Sequence, residues 1–194
     1  PLRVGGRRAG GGPAPPVDPV RALRALWALP LLAGCVDAGF VCDDPEASGW
    51  SADQVPDEEA MLDEVNAWRA AGTDCNGVAM PPVPAVTMND ALRCAARRHA
   101  VDLGTRDYFA HVSPDGTEPA DRAEDAGYEW SRISENIAGG RTDAEATVQD
   151  LIGSTTGHCE NIMDAEVIDA GMGVAVIDDS ELSTYWVQVF GVEQ

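Results

Sequence analysis

The chain has 194 residues, of which 44% are hydrophobic, and this length allows one domain of about 130 to 150 residues. Residues 35–194 contain eight Arg against 32 Asp and Glu, a net charge of −24. This charge repels phosphate backbones and excludes non-specific nucleic-acid binding. Cations and basic proteins are more suitable partners. Alternatively, the acidic residues only keep the protein soluble.

The first segment, residues 1–20, is rich in Gly and Pro and begins without Met. Such a composition cannot form a hydrophobic core. We therefore predict that residues 1–20 are disordered and were translated from upstream of the true start.

An export signal is predicted next, over residues 21–34. Two Arg precede a short apolar run that ends in Leu32-Ala33-Gly34-Cys35, which resembles the bacterial lipobox, where the peptide is cut before a diacylated Cys. A lipoprotein-type signal peptide with lipidation at Cys35 is therefore expected, and a plain signal peptide or a buried apolar helix is the alternative. Residues 35–56 are acidic and contain Pro and Gly, as in a tether. After residue 40 no run approaches the length of about 20 apolar residues that spans a bilayer.

Four helices are predicted in the remaining chain, residues 57–194, from apolar residues at helical spacing and from capping residues. They run from Asp57 to Ala71, from Asn89 or Asp90 to Gly104, from Glu118 to Ala126, and from Asp143 to Ile152. The runs Gly171–Ile177 and Ser183–Phe190 are apolar and β-rich and are joined by four polar residues, so they indicate a hairpin. Helices followed by strands indicate an α+β domain.

Four cysteines follow Cys35, namely Cys42, Cys75, Cys94 and Cys159. An even number in an exported chain indicates two disulfides, with three connectivities open. Because no Cys-x-x-Cys spacing is present, a zinc ribbon or a thioredoxin-like redox centre is disfavoured.

A series of short motifs, in order, resembles the bacterial branch of the CAP superfamily, named for cysteine-rich secretory proteins, antigen 5 and plant pathogenesis-related proteins, whose shared unit is the SCP domain. The motifs are Val65-Asn66-x-x-Arg69, Ala95-Ala96-x-x-His99, Tyr108-Phe109-Ala110-His111-x-Ser113-Pro114-Asp115-Gly116, Arg122 with Ala126-Gly127-Tyr128, Glu135-Asn136-Ile137-Ala138, Gly157-His158-Cys159-x-Asn161-Ile162-Met163 and Tyr185-Trp186-Val187-Gln188-x-Phe190-Gly191. The resemblance implies a three-layer α-β-α sandwich with a central antiparallel sheet, and a cleft lined by two His and acidic residues.

The resemblance also implies the cleft residues. His111 and His158 match the paired cleft histidines, and Glu135 matches the cleft Glu. Where many family members carry a second Glu, this chain has Ser154 or Thr155, and we include Ser154 in the cleft. Two neutral imidazoles suit Zn²⁺, and a carboxylate can be a third ligand or can orient an imidazole.

Two of the acidic and histidine side chains have structural alternatives. Glu135 could satisfy buried backbone amides at a turn. His99 falls on the apolar face of the second helix, so we interpret it as a core histidine and leave it out of the site.

For the disulfides, the resemblance implies the pair Cys75–Cys159, which leaves Cys42–Cys94. The first pair would anchor the loop that carries His158 and would stabilise the fold by about 3 to 4 kcal/mol.

Three functions remain open. The first is a non-enzymatic, monomeric module of the cell envelope that is held to the membrane only by its lipid anchor. Its cleft binds a divalent cation, a lipid or a peptide, and its partner is a small molecule, a lipid or an envelope protein. The second is a metal-assisted hydrolase, with Glu135 as general base and His158 or a metal activating water. In a variant of that hydrolase, Ser154 or Thr155 acts as nucleophile. The third is a purely structural envelope protein. No cofactor is required by these functions, although Zn²⁺ would fit the first two.

Overall fold

The computed structural model describes Cys42 and residues 49–194. The predictions of a disordered segment over residues 1–20, a signal peptide over residues 21–34 and an acylated Cys35 lie outside these described residues. Within them, no helix combines the length and the apolar character that crossing a membrane requires.

The described residues form five α-helices and six strands, preceded by a short 3-10 helix over Ala52–Gln54. The α-helices are α1 (Val55–Ala71), α2 (Asp90–Thr105), α3 (Pro119–Asp125), α4 (Ala144–Ile152) and α5 (His158–Ile162), and the strands are β1 (Thr73–Cys75), β2 (Val78–Met80), β3 (Thr87–Met88), β4 (Trp130–Gly139), β5 (Asp169–Val176) and β6 (Thr184–Glu193). Helices α1 to α4 confirm the four predicted ones within two residues at each end. Helix α5 has a single turn and too few residues to show a helical period.

The central sheet has the strand order β3-β5-β6-β4, and β1 and β2 form a separate small hairpin. The three long strands are antiparallel, and β5 with β6 is the predicted hairpin. The short β3 pairs parallel to β5, so the sheet is not wholly antiparallel. Strand β4 was not predicted because two of its buried positions hold Glu135 and Asn136, which hide the apolar alternation of a strand.

Helices cover both faces of this sheet, because alternate residues of its strands point to opposite sides. One core contains Met172, Val174, Trp186 and Phe190 with residues of α1, α4 and α5. The other contains Ala175, Tyr185, Val187 and Val189 with residues of α2. The architecture is the expected three-layer α-β-α sandwich.

Two glycines of β5 let α2 lie unusually close to the sheet. A Cβ added at Gly171 would lie 2.0 Å from the carbonyl carbon of Leu92, and one added at Gly173 would lie 2.4 Å from that of Ala96. Backbone atoms of α2 therefore occupy the space that side chains would need.

The disulfide pairs confirm the connectivity that the resemblance implied. Cys42 is bonded to Cys94 with a Cα to Cα distance of 5.3 Å, and Cys75 to Cys159 with 5.6 Å. The second bond joins the β1–β2 hairpin to α5, which carries His158 at its first residue.

The folded structure begins earlier than the predicted boundary at residue 57. Trp50, placed by the sequence in the tether, is 5% exposed and belongs to the α2 core. The guanidinium of Arg97 lies 3.5 Å from the centre of its ring. The acidic composition around Trp50 concealed this contact, which attaches the chain at Trp50 to α2.

Candidate functional site: a cleft of two histidines and a glutamate

Glu135 and His111 form the centre of the candidate site. Glu135 lies on β4, the edge strand, and its side chain is only 1% exposed on the face that α2 covers. His111 follows α2 in the loop before α3, and its side chain is 45% exposed. The Nδ1 atom of His111 lies 2.9 Å from Oε1 of Glu135.

This contact sets the tautomer of the imidazole. A carboxylate oxygen only accepts hydrogen bonds, so Nδ1 of His111 carries the proton. In the neutral ring, Nε2 is then left with its lone pair available for a ligand. The same carboxylate–histidine arrangement orients metal-binding imidazoles in proteins.

Arg122 of α3 supports both partners. Its Nη2 donates to Oε2 of Glu135 at 2.9 Å and to the carbonyl oxygen of His111 at 2.8 Å. Its side chain is 4% exposed, so this is a buried ion pair that also holds the His111 loop. Sequence reasoning gave Arg122 no role, although it is the only Arg within the otherwise acidic α3.

His99 lies beneath this group, and its prediction as a core histidine is confirmed. It is fully buried, with Nε2 at 3.1 Å from the carbonyl oxygen of Ala110 and 3.6 Å from Oε1 of Glu135. Burial lowers the pKa of His99 to about 4, since the opposing effect of Glu135 is smaller and Arg122 lowers it further. His99 is therefore a neutral neighbour of the site.

Asn136, the next residue on β4, points to the opposite face of the sheet and holds the second histidine. Its Nδ2 donates to the carbonyl oxygen of His158 at 3.1 Å and to Oε1 of Gln188 at 3.0 Å. Asn161 donates to Oδ1 of Asn136 at 2.9 Å. The side-chain amides of Asn136 and Asn161 tie α5 to the edge of the sheet, a role that the sequence motifs did not reveal.

His158 is partly buried, and its pKa is lowered by burial first and then by the charge of His111, against the opposing effect of Glu160. Glu135 contacts His111 and its neighbour Asn136 contacts the backbone of His158, so both histidines are held by the same stretch of β4. They come from opposite layers of the sandwich, and β4, which holds both, is the edge strand of the sheet. Since protonation of His158 is disfavoured, its ring stays neutral at pH 7.

Ser154 reaches His158 only indirectly. Its hydroxyl lies 2.8 Å from that of Thr156, which in turn lies 3.4 Å from Nδ1 of His158. Ser154 therefore borders the histidine without touching it, and Thr155 is exposed.

No group of three or more His, Cys, Asp or Glu within the described residues is arranged to hold a metal ion. Both oxygens of Glu135 are already engaged, one by His111 and the other by Arg122. The donors that fit a metal are therefore the two imidazoles, with Glu135 as the group that orients His111.

Residues 62–190, which include all of these cleft residues, match the profile of CAP, the cysteine-rich secretory protein family. The chain belongs to the CAP family. The Bacillus subtilis (strain 168) protein YkwD is 29% identical to this CAP chain over 103 residues, which are 53% of the chain and 38% of YkwD. The chain thus matches less than half of that relative's length.

Two solved structures show the same CAP fold. An outer surface protein from Borrelia burgdorferi has a TM-score of 0.61 and 19% identity, over 73% of this chain and 96% of that protein. An extracellular protein containing a SCP domain from Bacillus anthracis str. Ames has a TM-score of 0.60 and 22% identity, over 77% of this chain and 44% of that protein.

Proposed function

We propose that this CAP protein is an exported, lipid-anchored binding module of the cell envelope whose cleft binds a divalent cation such as Zn²⁺ through Nε2 of His111 and the imidazole of His158. The observation that carries the proposal is the 2.9 Å contact between Nδ1 of His111 and Glu135. It directs the lone pair of the exposed ring outward, as a metal ligand requires. The name of the B. anthracis protein, which describes it as extracellular, supports the exported location.

Electrostatics support a cation in this cleft. His158 resists protonation, and a neutral imidazole is the form that binds Zn²⁺. The net charge of −24 over residues 35–194 raises the local concentration of cations near the surface. With two protein donors, water or a donor from a partner molecule would complete the coordination.

The contacts of Glu135 weigh against the hydrolase alternative. A general base needs a carboxylate oxygen that water can reach. Here Arg122 and His111 each hold one oxygen, and the side chain of Glu135 is only 1% exposed. A serine nucleophile is also disfavoured, because Ser154 contacts Thr156 rather than His158.

Isothermal titration of Zn²⁺ into the chelator-washed full chain tests the proposal. We expect one equivalent to bind with micromolar or tighter affinity, and His111→Ala and His158→Ala each to abolish binding, because each removes one of two donors. Asp178→Asn, an exposed acid in the turn between β5 and β6, should leave the affinity unchanged. An unaltered near-ultraviolet circular dichroism spectrum would confirm that the variants are folded.

Absence of binding, or binding that survives both histidine substitutions, would contradict the proposal. An equal loss of affinity in Asp178→Asn would show that the acidic surface as a whole, and not the cleft, attracts the ion.

A further inference from the structure

A second concave site lies between α1 and α4. It is a groove of about 280 Å³ lined by Glu64, Ala67, Trp68, Ala71, Glu145 and Gln149. None of these residues belongs to the histidine cleft. We refer to these six residues as the α1–α4 groove.

The spacing of the lining residues explains why the groove forms. On α1 they recur at three-, four- and seven-residue intervals, and on α4 at a four-residue interval, so each set makes one stripe along its helix. Ala67 and Ala71 are small and leave room beside the ring of Trp68. The indole packs against the core on its inner side and is only partly buried.

The polar groups of the groove have no partner among the residues that the structure describes. The carboxylates of Glu64 and Glu145, the side chain of Gln149 and Nε1 of Trp68 form no hydrogen bond or ion pair with them. The eight Arg of the described region, in contrast, already contact carboxylates or carbonyl oxygens; they are Arg69, Arg93, Arg97, Arg98, Arg106, Arg122, Arg132 and Arg141. None of these eight described Arg is therefore available to this groove.

The protein itself shows which cation such a combination of side chains holds. Near the first turn of α1, Arg97 stacks 3.5 Å from the ring centre of Trp50 and donates to Glu58, with Nη2 2.7 Å from its Oε2. The α1–α4 groove presents the same indole and carboxylate chemistry without a guanidinium. Arg suits it better than Lys, because the planar guanidinium stacks on an indole while it hydrogen-bonds to carboxylates at its edge.

We propose that the α1–α4 groove binds the Arg side chain of a basic polypeptide partner. Trp68 provides the stacking surface, and Glu64 and Glu145 provide the counter-charges from the two helices. The partner's positive charge complements the net −24 of residues 35–194, which speeds its encounter with the surface. The groove uses none of the cleft residues, so this proposal does not depend on cation binding there.

Fluorine NMR of the full chain labelled with 5-fluorotryptophan tests the proposal. The chain has five Trp, and the Trp68→Phe variant assigns the resonance of Trp68. The probe is N-acetylarginine methylamide, and its neutral counterpart is N-acetylcitrulline methylamide, which has nearly the same shape. We expect the arginine probe to shift the Trp68 resonance along a saturating curve and the citrulline probe to leave it in place.

Charge-matched variants separate the groove from the general acidity of the protein. Glu64→Gln/Glu145→Gln should weaken binding of the arginine probe by about fivefold or more. Asp178→Asn/Asp179→Asn removes the same charge in a distant turn and should leave the affinity unchanged. An unmoved Trp68 resonance, an equal response to citrulline, or an equal loss of affinity in both double variants would overturn the proposal.

Discussion

Glu135 and Asn136 are neighbours in sequence, yet they support different halves of the cleft. Successive residues of a strand point to opposite faces, so the carboxylate meets His111 and Arg122 on one side, while the amide meets the backbone of His158 on the other. One dipeptide at the sheet edge therefore positions both imidazoles. Loss of Arg122 would leave the Glu135 carboxylate buried without its ionic partner, a costly state in a folded protein.

The buried His99 makes stability depend on pH. Its pKa is lowered from 6.5 to about 4 in the folded protein, so the unfolded chain takes up the proton at higher pH. Stability is full above the unfolded pKa and is lost as the pH falls from 6.5 towards 4, by about 3 kcal/mol for this group. Urea unfolding at about pH 7 and at about pH 4.5 measures the loss.

The matched variant for this prediction is His99→Gln, which retains a donor for the carbonyl oxygen of Ala110 but does not titrate. The variant should lose less stability over the same pH interval than the wild type, whatever its stability at neutral pH. If the two proteins lose stability equally, titration of His99 is not the cause.

At the scale of elements, the close contact of α2 with β5 determines how near α2 and the loop after it lie to the sheet. Helix α2 carries His99, and the loop that follows it carries His111. Because Gly171 and Gly173 remove side chains from this interface, the backbone of α2 is seated against the strand. The β4 carboxylate and the loop imidazole can then meet.

Gly171→Ala should destabilise the fold by about 3 kcal/mol or more, since its Cβ would overlap the backbone of α2 and the helix would have to move. Thermal and urea unfolding measure the change. The control is Gly153→Ala at the end of α4, where φ is −77° and the nearest atom to an added Cβ is 3.4 Å away. Equal effects of the two substitutions would contradict a close approach of α2.

At the scale of the whole molecule, two disulfides hold outlying segments to the sandwich. Cys75–Cys159 fixes the helix that begins with His158, and Cys42–Cys94 fixes the chain that precedes the domain to α2. The proposed anchor residue, Cys35, lies only seven positions before Cys42. Acylation there would therefore keep the domain close to the membrane surface, because an extended residue spans at most about 3.6 Å.

Mass spectrometry of the protein extracted from membranes tests this anchor. We expect a chain that begins at Cys35 and carries acyl groups, and we expect Cys35→Ser to move the protein into the soluble fraction. An unmodified N-terminus at or near Val36 would contradict lipidation. Cys42→Ser, which lies beyond the cleavage site, should leave the acylated N-terminus intact and serves as the control.

Local patterns were sufficient for much of the fold. Helical periodicity and caps predicted α1 to α4, and β-rich runs around a polar turn predicted the β5–β6 hairpin, because each pattern depends on residues close in sequence. The family resemblance supplied the layers, the disulfide pairs and the candidate residues His111, Glu135 and His158. It could do so because these features belong to motifs that stand in a recognisable order.

Tertiary structure decided what depends on contacts between distant residues. The strand β4 forms from a sequence that looks polar, because the buried polar groups of Glu135 and Asn136 find partners elsewhere in the chain. Arg122 lies 13 positions from Glu135, and Gln188 lies 52 positions from Asn136. No periodicity within one segment encodes such pairings. The sequence by itself therefore determined four helices, the β5–β6 hairpin and the candidate residues, whereas only the folded chain decided the edge strand and how the imidazoles are oriented.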